Sequence, residues 1–118
     1  MAAKDDLGRT GEELACRWLE RRGCTVLDRN WRCRTGEIDL VAQDGDDLVV
    51  VEVKTRRSLR TGHPAEAVTP RKLSRLRMLA GLWLAEHEVH AAGVRVDVVA
   101  IWLPHDGPTR IDHRQGVA

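Results

Sequence analysis

Residues 36–56, GEIDLVAQDGDDLVVVEVKTR, decide how this chain folds. Both flanks are rich in β-branched and aliphatic residues, and the middle, Asp44-Gly45-Asp46-Asp47, is turn chemistry, so the stretch predicts a β-hairpin. With Gly45 and Asp46 as a two-residue turn, Asp39 faces Glu52 and Glu37 faces Lys54. Alternation along a strand then puts Ile38, Leu40, Ala42, Val49, Val51 and Val53 on one face. The other face carries Asp39, Glu52 and Lys54 among Val41 and Val50. Two carboxylates side by side on a half-buried sheet repel one another and lose hydration. A hard divalent cation such as Mg²⁺ removes both penalties, because it takes oxygen ligands and keeps several waters. Lys54, two residues beyond Glu52, points the same way and could polarise a water or steady charge on a phosphate. The plainer alternative is a cross-strand ion pair of Lys54 with Glu52 or Glu37.

Working outward, residues 5–22 read as a helix with Leu7, Leu14, Ala15, Trp18 and Leu19 as its apolar stripe, and Gly23 stands where a C-terminal cap belongs. Gly11, beside Glu12, is costly inside a helix unless something must approach closely there. Cys24–Trp31 reads as a first strand, making a three-strand meander with the hairpin. Residues 57–68, with Gly62 and Pro64 inside them, form a connection that leaves the hairpin just past Lys54. It fits a lid over a bound strand as well as it fits an ordinary loop. Thr69 as N-cap and Pro70 at the first helical position open a second helix, carried by Leu73, Leu76, Leu79, Ala80, Trp83 and Leu84 through about residue 88. Val94–Leu103 is a last strand, in which Asp97 is expected to play a structural part. From Pro104 onward the Pro, Gly, Asp and His content reads as a ragged tail.

The order α-β-β-β-α-β predicts an α/β fold, a mixed sheet flanked by helices in one domain over residues 1–118, with a core at about 5–103 and a tail at 104–118. The composition agrees: 118 residues, 42% hydrophobic and 31% charged, describe an ordinary globule. Four Trp with no Phe or Tyr leave core filling to Leu, Val and Ala. Cys16, Cys24 and Cys33 have no zinc-site spacing and read as small, reduced, at least half-buried residues. No apolar run approaches the roughly 20 residues needed to cross a bilayer, and the first residues offer no hydrophobic signal segment, so no membrane partner and a cytoplasmic protein are expected.

Net charge is only +1, but its distribution is uneven. Residues 54–77 hold 8 basic side chains and 1 acidic one, a net of +7, whereas residues 1–53 are at −4 and residues 78–118 at −2. A basic segment beginning at Lys54 suits a surface that tracks phosphates, and it also suits a merely solvated loop and helix face. Arg71, Lys72 and Arg75 lie near the start of the second helix, where the helix dipole favours an anion.

Asp39 followed by Glu52-Val53-Lys54 resembles the PD-(D/E)xK signature of restriction-endonuclease-like nucleases, with Ile38 where a proline often precedes the Asp. The wider set is more specific: Gly8-x-x-Gly11-Glu12, Arg29-Asn30-Trp31, Gly36-Glu37-Ile38-Asp39-Leu40, Val51-Glu52-Val53-Lys54-x-Arg56 and Arg95-Val96-Asp97-Val98-Val99 occur in order. Together, over about residues 5–103, they resemble the YraN family of small bacterial proteins, itself similar to archaeal-type Holliday junction resolvases. The resemblance implies a restriction-endonuclease-like fold and a metal-dependent endonuclease acting on branched or structured DNA. It implies Asp39, Glu52 and Lys54 as catalytic residues. Mg²⁺ or Mn²⁺ would be held by Asp39, Glu52, a backbone carbonyl near Val53 and Glu12, the last of which is otherwise an ordinary exposed helical Glu. Glu37 is a further acidic candidate, and Arg56, Arg57, Arg60, Arg71, Lys72 and Arg75 would contact the nucleic-acid backbone. A homodimer is implied too, since a four-way junction presents two symmetric cuts. Two other classes remain: a nucleic-acid-binding module with weak or no catalysis, and an interaction protein whose charged hairpin is an ion-pair network.

Overall fold

The computed structural model describes residues 3–58, 60 and 62–117. Helix α1 (Ala3–Arg21) is followed by strands β1 (Thr25–Cys33), β2 (Gly36–Asp44) and β3 (Asp47–Arg56), a 3₁₀ turn at Pro64–Ala67, helix α2 (Pro70–Glu86), and strands β4 (Gly93–Trp102) and β5 (Arg110–Arg114). The strands form one mixed sheet in the order β1-β2-β3-β4-β5, in which only β3 and β4 run parallel. The helices take opposite faces. Ala15, Cys16 and Leu19 of α1 pack on Leu40, Ala42, Val49, Val51, Val99 and Ile101. Leu76, Leu79, Ala80 and Trp83 of α2 pack on Ile38, Val41, Leu48, Val50 and Val96. Each large aliphatic side chain buried this way contributes about 1.5–3 kcal/mol relative to exposure.

The hairpin has the expected register from Asp44↔Asp47 to Leu40↔Val51, with Gly45 at φ +60° in the turn. It then parts from expectation. The ladder ends at Leu40↔Val51, so Asp39 and Glu52 do not pair through their backbones and Glu37 does not face Lys54. Asp39 instead spends its carboxylate on the neighbouring strand, where Oδ2 accepts the Val53 N–H at 2.8 Å. Ile38 also changes sides and packs under α2 with Val41, away from Leu40 and Ala42. Opposite this stretch, Asn30 of β1 takes a left-handed φ of +51°, between the pairs Arg29↔Leu40 and Trp31↔Ile38, whose register is unbroken. A second irregularity, a bulge between Val26 and Asp28, lies nearer the start of β1.

The tail forms a strand. Arg110–Arg114 pairs antiparallel with β4, from Trp102↔Arg110 to Val98↔Arg114. A buried polar chain fastens it: Trp18 Nε1 donates to His113 Nδ1 at 3.1 Å, and His113 Nε2 donates to Asp97 Oδ2 at 2.7 Å. Arg95 donates to both Asp97 oxygens at 2.9 and 3.1 Å and to Asp44 at 2.9 Å, and the Gly116 N–H donates to Asp97 at 3.0 Å. Asp97 is therefore structural, as expected. Its burial alone would raise its pKa, but the bonds from His113, Arg95 and Gly116 prevail and hold it below the ordinary value.

The connection over residues 57–68 contains the 3₁₀ turn. His63 Nδ1 accepts the Ala65 N–H at 3.0 Å while Nε2 donates to Asp112 of β5 at 2.6 Å. Leu59 and Thr61 lie outside the described residues. Thr69 caps α2 as expected, accepting the Lys72 N–H at 3.2 Å, and Pro70 is the first helical residue. Cys16 and Cys24 are buried and Cys33 is half-buried, all three as free thiols. Among the described residues no helix is long and apolar enough to cross a membrane.

Gly11 is where α1 touches β3. A Cβ there would lie 2.9 Å from Thr55 Cβ, with Thr55 Oγ1 closer still. Gly11→Ala would gain about 1 kcal/mol of helix propensity. It would also force two backbones apart in a packed core, which typically costs about 1–3 kcal/mol and occasionally more. The clash is with a β-carbon, which cannot swing away, so overpacking is expected to win. Urea unfolding should give a destabilised Gly11→Ala protein, partly restored when Thr55→Ala removes the hydroxyl and methyl.

Candidate active site

The site stands on β3, where the ladder to β2 has ended. Glu52 is 4% exposed, and its Oε2 takes two ammonium groups: Lys54 Nζ, two residues along the same strand, at 3.5 Å, and Lys72 Nζ from the first turn of α2. Asp39 lies near enough to Glu52 to feel its charge. Burial, then the charge and hydrogen-bonding influence of Glu52, push the Asp39 carboxyl up to about 8, against the opposing Val53 N–H, and Glu12 adds a smaller push. A proton held on Asp39 relieves the repulsion between the two acids when no cation is present. For Lys72, burial works to lower the pKa, but the hydrogen bond and charge of Glu52 outweigh it and the ammonium is held above its ordinary value.

Asp39, Glu52 and Lys54 come together. Glu12 is within electrostatic reach of Asp39, yet no group of three His, Cys, Asp or Glu side chains is arranged to hold a metal among the described residues. Val53 donates its N–H to Asp39 Oδ2. Two adjacent carboxylates fit a Mg²⁺-type ion that keeps most of its waters, not a closed cage of protein ligands. Glu37 is exposed and pairs with Arg32 at 3.1 Å, on the side away from Lys54's strand.

The six basic residues divide. Arg71, Lys72 and Arg75 line a cleft of about 370 Å³ together with Gly36, Glu37 and Thr69, at the N-terminus of α2. Arg56, on the same face of β3 as Glu52 and Lys54, lines a second hollow of about 310 Å³ with His63 and Glu66. Arg57 is exposed and donates to Leu103 O at 3.0 Å, and Arg60 is exposed with its backbone N–H 3.4 Å from Ser58 Oγ. Lys72 is thus more than a surface cation, because its head group enters the carboxylate site itself. The apolar stripe of α2 carried one turn back, from Leu76 to residue 72, is the signal that places it inward.

This is a mixed α/β sandwich in which buried Glu52 carries two lysines, with half-buried Asp39 and a basic cleft beside it. The chain belongs to the Uncharacterised protein family UPF0102, which it matches over residues 11–101. It is 59% identical to a UPF0102 protein of Beutenbergia cavernae over 117 residues, covering 99% of each chain. It is likewise 59% identical to one of Kineococcus radiotolerans, covering 98% and 96%, and 56% identical to one of an Arthrobacter species, covering 99% of each. The matched span contains Glu12, Asp39, Glu52, Lys54 and Lys72 and ends before β5.

Proposed function

We propose that this chain is a divalent-metal-dependent nuclease that hydrolyses phosphodiester bonds in structured or branched DNA. The observation that carries the proposal is the pair of half-buried Asp39 and buried Glu52, with Lys54 beside it, next to a cleft lined by Arg71, Lys72 and Arg75. Asp39 and Glu52 would hold Mg²⁺ or Mn²⁺, which when bound polarises a phosphoryl oxygen and lowers the pKa of a bound water. Lys54, anchored on Glu52, presents an ammonium to negative charge that grows on the phosphate. Arg71 and Arg75, at the positive end of α2, hold a neighbouring phosphate of the strand. These contacts carry no base sequence, so shape sets the preference.

A second reading, nucleic-acid binding without turnover, is favoured by one feature. Glu52 is already neutralised by lysines, and Glu12 completes no three-carboxylate group among the described residues. Both readings meet in one experiment: cleavage of a labelled four-way junction, with duplex and single-strand controls, in Mg²⁺, Mn²⁺ and chelator. Cutting that needs the metal and disappears in Asp39→Ala and Lys54→Ala is the expected result. Tight junction binding with no cutting would establish the second reading in its place.

A further inference from the structure

We propose that Lys72 stands in for the divalent cation when none is bound, and that its departure from Glu52 couples cation binding to capture of a backbone phosphate. The inference rests on the nuclease reading and adds regulation to that same site.

One oxygen of Glu52 receives both ammonium groups. Their supports differ. Lys54 rises from the same strand as Glu52 and its side chain is 22% exposed, whereas Lys72 reaches in from α2 with 42% of its side chain exposed. An ion seated between Asp39 and Glu52 would be crowded by both positive heads, and like charges that close in a partly buried site repel strongly. Lys72 is the one with room to leave, because its outer flank faces the cleft.

That cleft does not welcome a free ammonium. Arg71 and Arg75 line it, and Glu37, the carboxylate among its lining residues, is paired with Arg32 at 3.1 Å. An incoming phosphate is the group that satisfies a displaced Lys72 there. Cation and phosphate therefore help each other: the cation frees Lys72, and the phosphate holds it away. Thermodynamic reciprocity requires the two affinities to rise by the same factor, in the range of about 5–150-fold for typical couplings.

The test compares wild type, Lys72→Met and Lys72→Arg, each checked for fold by thermal melting. Mn²⁺ affinity is read from the resonance signal of the free ion, without DNA. Junction affinity is read by fluorescence anisotropy, in chelator and in saturating Ca²⁺. Lys72→Met is expected to bind Mn²⁺ about tenfold more tightly than wild type, while Lys72→Arg, which keeps the competing charge, matches wild type. Ca²⁺ is expected to tighten junction binding about tenfold in wild type and by less than about twofold in Lys72→Met. Mn²⁺ binding by Lys72→Met that is equal to or weaker than wild type overturns the proposal and leaves the metal site standing. Mn²⁺ binding by none of the three proteins overturns both.

Discussion

Asp39→Asn is expected to make the metal-free protein more stable at alkaline pH while ending its response to divalent cations. The folded Asp39 carboxyl has a pKa of about 8 against an ordinary 3.8, through burial first and the adjacent Glu52 second. Between those values the folded chain holds a proton that the unfolded chain releases, so this residue's contribution falls as pH rises from about 4 to about 8. The amide of Asn keeps an oxygen for the Val53 N–H and can donate to Glu52, with no charge to bury. Urea unfolding in chelator should therefore show the variant ahead of wild type at pH 9, by on the order of 2 kcal/mol, and the gap should close toward pH 5. With Mg²⁺ or Mn²⁺ the order should reverse, because an ion that binds only the folded form raises wild-type stability and finds one carboxylate fewer in the variant. A variant less stable than wild type at pH 9 in chelator would mean that Asp39 is mainly a structural acceptor for β3.

Asp97→Ala is expected to be the most damaging single change away from the site. Asp97 has no solvent exposure and accepts from Arg95, His113 and Gly116, so its removal leaves the Arg95 guanidinium with Asp44 alone and strips the anchor from β5. Breaking one side of a buried ion pair costs about 3–5 kcal/mol. That is a large share of the roughly 5–15 kcal/mol that holds a small domain together. The pH dependence follows from the lowered pKa of Asp97. Its contribution is complete above the ordinary value of 3.8 and is lost as pH falls through the lower folded value. The difference in urea midpoint between wild type and Asp97→Ala should accordingly be constant from pH 5 to 7 and shrink in stronger acid.

Much of this was legible in the chain, where local rules and tertiary packing agree. The Gly45–Asp46 turn set the hairpin register, Thr69 and Pro70 marked the start of α2, and Gly11 announced a close approach that proved to be with Thr55. The misses share a non-local cause. Arg110–Arg114 is short and polar, and it is held as a strand by Trp18, His63 and Asp97, partners 49 or more residues away for the first two; nothing within RIDHR reports them. Ile38 changed faces just beyond the end of the β2–β3 ladder, opposite Asn30 of the neighbouring strand, whose left-handed conformation an asparagine tolerates but does not demand. At the site, Asp39, Glu52 and Lys54 were legible because strand alternation is short-ranged. The direct grip of Lys72 on Glu52 was missed because a basic first turn was read as a surface, although the inward stripe beginning at Leu76 runs through it.

The irregular backbone of β1 has a consequence for how this molecule meets others. A sheet's outermost strands offer unpaired N–H and C=O groups to any passing chain, and proteins guard against unwanted strand addition with bulges, charges and brevity. Here β1 has a bulge after Val26, a left-handed turn at Asn30 and the charges of Asp28, Arg29 and Arg32. The opposite margin, β5, is five residues long and carries Arg110, Asp112 and Arg114. Both margins are thus guarded against sheet extension, and the large apolar side chains exposed among the described residues, Met78 and Leu82, lie on α2 rather than on either margin.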